Sequence, residues 1–217
     1  MDHIITALEP QKNDPQRINV YIDYQFAFGI SRFVGAWLKK GEQLDENRIQ
    51  LLLDKDLYEK ALQKALHFIA FQPRSEKEIR AKLAKYGFEE GVIERVLNEL
   101  IEKRYLDDAR FARDWVESRS QSKPRSRRFY LYELKNKGIS ETAIQQAIET
   151  APEDAELAYA LGVKYLNRFS NLDNAEFAKK MQGVLARRAF SYDVIKETIN
   201  QLVKNRNLEG SKRGKYG

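Results

Sequence analysis

Cysteine does not occur in the 217-residue chain, which excludes a disulfide framework, a thiol nucleophile and a thiolate metal site. Histidine is nearly as scarce, with only His3 and His67. His67 lies among Leu66, Phe68 and Ile69 in an apolar helical run, where a packed or hydrogen-bonded ring is the expected state, and no neighbouring carboxylate stands at metal-ligand spacing. There is no Gly-rich phosphate loop, no G-x-S-x-G elbow and no H-E-x-x-H. The sequence therefore predicts no enzyme, no catalytic residue, no metal and no cofactor. Long apolar runs are missing too, and Met1 to Pro10 lacks the basic and apolar regions of a secretory signal. A soluble, cytoplasmic protein without a membrane partner is expected.

Glycine (11) and proline (5) are few, whereas charged residues make up 32% of the chain and apolar ones 42%. That usage, rich in Leu, Ala, Glu, Lys and Arg, predicts a mainly α protein with a real core. The net charge of +6 suits polyanionic partners, although it also serves solubility alone. The paired acids Asp107 and Asp108 stand at a predicted helix start, where capping explains them better than acid and base chemistry.

The opening stretch differs from the rest. Arg17 to Tyr24 and Gln25 to Ser31 are short, aromatic and β-branched around Asp23 and Tyr24, which predicts a small hairpin. A helix is expected over Arg32 to Lys40, and helical spacing takes over from Asn47. Ser75, Asp107 or Asp108, Ser140, Asp173 and Ser191 read as N-caps, Pro124 and Pro152 as early helix positions, and Gly87 and Gly138 as C-terminal stops. An internal repeat organises these signals. Leu83, Gly87, Phe88, Ile93 and Leu97 align without a gap with Leu134, Gly138, Ile139, Ile144 and Ile148, and again with Leu185, Ala189, Phe190, Ile195 and Ile199, at a step of 51 residues. The first helix of each unit aligns poorly. Three tandem three-helix repeats stacked into an elongated, curved array are expected, behind a small N-terminal extension that contains the β-hairpin. The boundaries drawn are 1–53 for the extension, 54–104, 105–152 and 153–205 for the repeats, and 206–217 for a basic, disordered tail. Lys212, Arg213 and Lys215 in that tail would add nonspecific affinity for DNA.

The densest positive run carries Arg119, Lys123, Arg125, Arg127 and Arg128 with no acid, followed by Lys135 and Lys137. On one helix Arg125, Arg128, Phe129, Tyr132 and Lys135 share a side opposite Tyr130 and Leu134. Cations beside aromatics suit phosphate contacts with base stacking, or an acidic protein groove. Phe129 aligns with Glu78 and Lys180 in the other units, so an aromatic there points to a contact surface, the alternative being packing on a neighbouring helix. Lys77, Arg128 and Lys179 share one repeat position. The candidate partner- or DNA-binding residues are thus Arg119, Lys123, Arg125, Arg128, Phe129, Tyr132, Lys135, Lys77 and Lys179.

The runs Phe71 to Glu78, Lys82-Leu83, Tyr105 to Ala112 and Glu133 to Ile139 resemble the RecX family. The resemblance covers about Asp54 to Val203, and the segment before it is similar to the N-terminal extension of longer members. Ala189, where the other units have glycine, departs from the pattern. What the resemblance implies is a non-enzymatic, mostly inhibitory regulator of the RecA recombinase in homologous recombination and DNA repair. It would bind the RecA–DNA filament as a monomer and alter its assembly, ATPase and strand exchange, with single- or double-stranded DNA as a further partner. The motif residues Tyr105 and Asp107 read as core and cap. The alternative is a sequence-nonspecific nucleic-acid-binding repeat protein that acts without RecA.

Overall fold

In the computed structural model, which describes residues 3–213, four strands precede nine α-helices. The strands β1 (His3–Pro10), β2 (Arg17–Ile22), β3 (Gln25–Ser31) and β4 (Gln43–Leu44) form an antiparallel sheet in the order β3-β2-β1-β4. The expected hairpin is β2 and β3, with Val20 opposite Phe28 and Tyr21 opposite Phe26. Asp23 and Tyr24 turn the chain at φ 49° and 67°, positive at both positions as a two-residue hairpin turn requires. The other two strands have no clear signature in the sequence. β1 shows no clean alternation and ends in proline, and β4 has only two residues.

The helix expected over Arg32 to Lys40 is absent, because the chain there makes turns. Val34 and Leu38 are buried with Ile5, Val20 and Ile30, and the main chain at Gly35 lies tight against the Ile18 and Ile30 side chains. The apolar spacing is real, but it serves a cover over the sheet.

The helices are α1 (Glu46–Phe71), α2 (Glu76–Lys85), α3 (Glu90–Glu102), α4 (Asp108–Ser122), α5 (Arg127–Asn136), α6 (Glu141–Glu149), α7 (Asp154–Leu166), α8 (Asn174–Ala186) and α9 (Tyr192–Arg213). No described helix is long and apolar enough to cross a membrane. α1 runs unbroken through residue 54 and serves two cores. Its Leu52 belongs to the core of the sheet, while Ala61 and Ala65 pack with Ile79, Leu83, Ile93 and Leu97 of α2 and α3. Asp56 of α1 is buried and fastens the sheet: it accepts from the Ser31 amide at 2.7 Å and from Arg17 at 3.2 and 3.3 Å, and pairs with Lys60 at 2.8 Å. Burial alone would raise its pKa, but the bonds from Lys60, Ser31 and Arg17 outweigh it and hold the carboxyl below its ordinary value.

Two compact units are present, one through Arg74 with Glu78–Leu106, the other with Ser75–Lys77 and the chain from Asp107. In the second, helices α4 to α9 share one core that includes Tyr130, Leu134, Phe177, Met181 and Leu185. The 51-residue register has a structural counterpart at the end of each middle helix. Gly87, Gly138 and Ala189 all have positive φ, at 85°, 82° and 64°. In each case the next residue's amide bonds back five positions: Phe88 to Leu83 at 3.3 Å, Ile139 to Leu134 at 3.2 Å, Phe190 to Leu185 at 3.5 Å. This left-handed stop satisfies carbonyls that the helix end would leave bare. The register reaches the first helices of two units only: Ala61 and Ala112 are equivalent and both fully buried, whereas Val163 at the third position is 44% exposed.

Three expectations from the sequence give way to the fold. Tyr105 is exposed rather than core, with Leu106 buried in its place. His67 is exposed rather than packed. The tail does not become irregular at 206, since α9 continues to Arg213. Lys215, also assigned to that tail, lies outside the described residues.

Candidate functional site

The candidate face is built by α4, α5 and the short link between them. Asp107 caps α4 by accepting from the Arg110 amide at 2.8 Å. Phe111 and Val116 then turn inward, and Trp115 and Arg119 follow at four-residue spacing along the edge of the buried stripe. The Phe111 and Trp115 rings stack with centroids 5.7 Å apart. Two cations lie over the Trp115 ring, the Arg119 guanidinium at 4.3 Å and the Lys137 ammonium at 4.2 Å, an arrangement favoured by the ring quadrupole. Arg119 was among the residues expected from the sequence, whereas Trp115 and its pairing with Lys137 were missed. The four-residue spacing of Phe111, Trp115 and Arg119 is the signal that could have found the ring.

α5 begins later than its proline suggested. Pro124 is buried in the link, and Ser126 is the N-cap, its hydroxyl accepting from the Phe129 amide at 3.3 Å. Arg125 is therefore not on the helix with Arg128 and Lys135, as its spacing implied, but in the link. It still joins the same face. Its guanidinium lies 4.0 Å from the Phe129 ring centroid, and Phe129 and Tyr132 are 6.3 Å apart. Tyr130 holds the link in place: fully buried, its hydroxyl accepts from the Arg125 amide at 3.0 Å. Burial raises the pKa of that phenol.

The positive run is thus less uniform than its sequence. Arg127 is a structural tie, bonded through its amide to Asp154 at 2.7 Å, through its side chain to the Ala151 and Pro152 carbonyls, and paired with Glu153 at 2.8 Å. Lys135 pairs with Glu141 at 3.0 Å. Lys123 and Arg128 are exposed, and Phe129 is half-buried rather than free. Tyr132 is 60% exposed. Lys77 on α2 and Lys179 on α8, at the repeat position of Arg128, are also exposed. What the face offers is cations held over aromatic rings. Among the described residues no cluster of three or more His, Asp or Glu could hold a metal ion.

Four family models match the chain. They are described as the regulatory protein RecX N-terminal domain, over residues 3–45, and the first, second and third three-helix domains of RecX, over 61–100, 107–148 and 152–199. The regulatory protein RecX of Clostridioides difficile is 31% identical over 204 residues, which cover 92% of this chain and 96% of that protein. The chain belongs to the RecX family. The family's regulatory protein RecX of Bacillus velezensis is likewise 31% identical, with 91% of this chain and 76% of the relative covered. A crystal structure of regulatory protein RecX superposes with a TM-score of 0.67 at 29% identity, covering 91% of this chain and 99% of the other. RecX from Lactobacillus salivarius gives 0.58 at 25% identity over 68% of this chain and 97% of the other. The mostly helical fold, with three three-helix domains behind a small strand region, is that of the family.

Proposed function

We propose that the chain regulates the RecA recombinase, mostly as an inhibitor, by binding the RecA–DNA filament and altering its assembly, ATPase and strand exchange. The observation that carries the reading is the cation–aromatic face of α4 and α5 in a RecX-family chain, where Arg125 over Phe129, exposed Tyr132 and exposed Arg128 stand opposite the buried Tyr130 and Leu134. Such a surface matches an acidic protein groove or phosphates beside unstacked bases. Arg119, Lys123 and Lys135 extend it, Lys135 least because Glu141 already neutralises it. Lys77 and Lys179 supply equivalent cations on the outer repeats. Binding as a monomer accompanies this reading.

The test is the ATPase of RecA on single-stranded DNA with the chain added at substoichiometric amounts. Depressed turnover is expected, and the Arg125→Ala/Arg128→Ala chain should lose the effect with its circular dichroism unchanged. Inhibition that appears only when the protein coats all the DNA would instead favour a nucleic-acid binder that works without RecA, a reading supported by the net charge of +6.

A further inference from the structure

The N-terminal unit exposes aromatic rings that its fold does not use. Between Tyr24 and Gly41 the chain carries Arg32, Lys39 and Lys40 and no acidic residue. The same segment holds Tyr24, Phe26, Phe33 and Trp37, all more than half exposed. Phe26 meets Tyr21 edge to face at 6.0 Å on the outer side of the hairpin. Phe33 and Trp37 lie on the turn that follows β3, where the Gly35 amide bonds back to the Ser31 carbonyl at 3.0 Å, one turn of helix-like backbone. Their neighbours Val34 and Leu38 go into the core, whereas Phe33 is 67% and Trp37 84% exposed. An indole left in water forgoes the largest apolar burial any side chain offers. Neither ring is needed to hold the turn, since Val34, Leu38 and Gly35 do that.

We propose that this turn is a binding platform for single-stranded nucleic acid, with Phe33 and Trp37 stacking on bases and Arg32, Lys39 and Lys40 contacting phosphates. Flat rings stack on any base, and the three cations fit a polyanion against the flanking Asp23 and Glu42, whose carboxylate accepts from the Lys39 amide at 3.0 Å. An acidic peptide would suit the cations, but carboxylates do not stack on ring faces as bases do. Phe33 also forms a wall of a surface groove of about 490 Å³ that Gln16, Arg17, Lys60 and Gln63 share with Asp14 and Glu59. Those two carboxylates, and the tie of Arg17 and Lys60 to Asp56, place the phosphate contacts on Arg32, Lys39 and Lys40 instead. This platform lies outside the α4 and α5 face and needs no recombinase.

The experiment uses the full chain and an oligodeoxythymidylate, without RecA. Indole fluorescence should be quenched on binding and the quench abolished in the Trp37→Phe chain, whose remaining tryptophan is Trp115. Anisotropy of the labelled oligonucleotide should report affinity about tenfold weaker or more for Phe33→Ala/Trp37→Ala, from about 1–3 kcal/mol per stacked base. Lys39→Ala/Lys40→Ala should lower the salt slope by about 0.7 for each phosphate that is no longer neutralised. A quench that persists in the Trp37→Phe chain, affinities of the double aromatic variant within about twofold of the parent, or equal quenching by polyglutamate would overturn the proposal. The Lys39→Ala/Lys40→Ala chain, which changes only exposed side chains, keeps the test decisive even if the aromatic variant fails to fold.

Discussion

Replacing Ala189 by glycine should stabilise the protein, although it deletes a methyl group. Ala189 stands at φ 64°, where the two equivalent positions carry Gly87 and Gly138. A Cβ in this region costs about 1–2 kcal/mol through its approach to the following carbonyl. Glycine removes that strain but has more freedom to lose from the unfolded chain, about 0.4–1 kcal/mol. Ala189 is exposed, so its methyl contributes no core packing, and the net gain expected is about 0.5–1 kcal/mol. The converse change isolates the same effect. A Cβ at Gly87 would meet nothing within 4 Å, so Gly87→Ala should cost about 0.5–1 kcal/mol from backbone strain alone. Urea unfolding followed by circular dichroism measures both, with midpoints moving in opposite directions at unchanged slope. A destabilised Ala189→Gly chain, or a neutral Gly87→Ala chain, would refute the reasoning that a left-handed stop is required at this step of every repeat.

Asp56→Ala should destabilise the N-terminal unit by about 3–5 kcal/mol in urea, because it strands the Arg17 charge and the Ser31 amide in a buried site. Since the folded protein holds the Asp56 carboxyl below its ordinary 3.8, its contribution is complete above that pH and fades as pH falls through the folded value; the Asp56→Ala chain should lose this part of the acid dependence. Tyr130→Phe leaves the Arg125 amide without its buried acceptor and should cost about 1–3 kcal/mol, a loss that thermal unfolding would detect. Half-buried Phe129 should cost about 1.5–2.5 kcal/mol as Phe129→Ala, half the range for a fully buried ring; a value under about 0.5 kcal/mol would mean that the ring contributes only to binding.

How much of this was legible follows the reach of each signal. The hairpin at Asp23 and Tyr24, the caps at Asp107, Ser140 and Asp173, and the common step of Gly87, Gly138 and Ala189 are written in neighbouring residues, because turns, caps and left-handed stops are closed by bonds a few positions long. Helical periodicity likewise needs only one turn of sequence. Ala61 and Ala112 stand at the same 51-residue step, but only the packing of each first helix decided that both are buried while Val163 at the third position is exposed. Arg32 to Lys40 has a helix-like pattern, yet the sheet decided what its apolar residues would cover.

The candidate face divides in the same way. Its cations and rings could be counted in the chain, but which of them remain open to a partner could not. Arg127 is taken by Asp154 and Glu153, Lys135 by Glu141, and Arg125 reaches Phe129 from a link instead of from the helix. Lys137 meets Trp115 across 22 residues of chain. The sequence by itself determined most of the helices, the caps and left-handed stops that bound them and their threefold recurrence, because those are local energies repeated at each step. Only the tertiary structure decided which charges are spent on the protein's own carboxylates and which face outward, because a Coulomb or ring contact depends on distance in space, and distant segments acquire that distance only when the core closes.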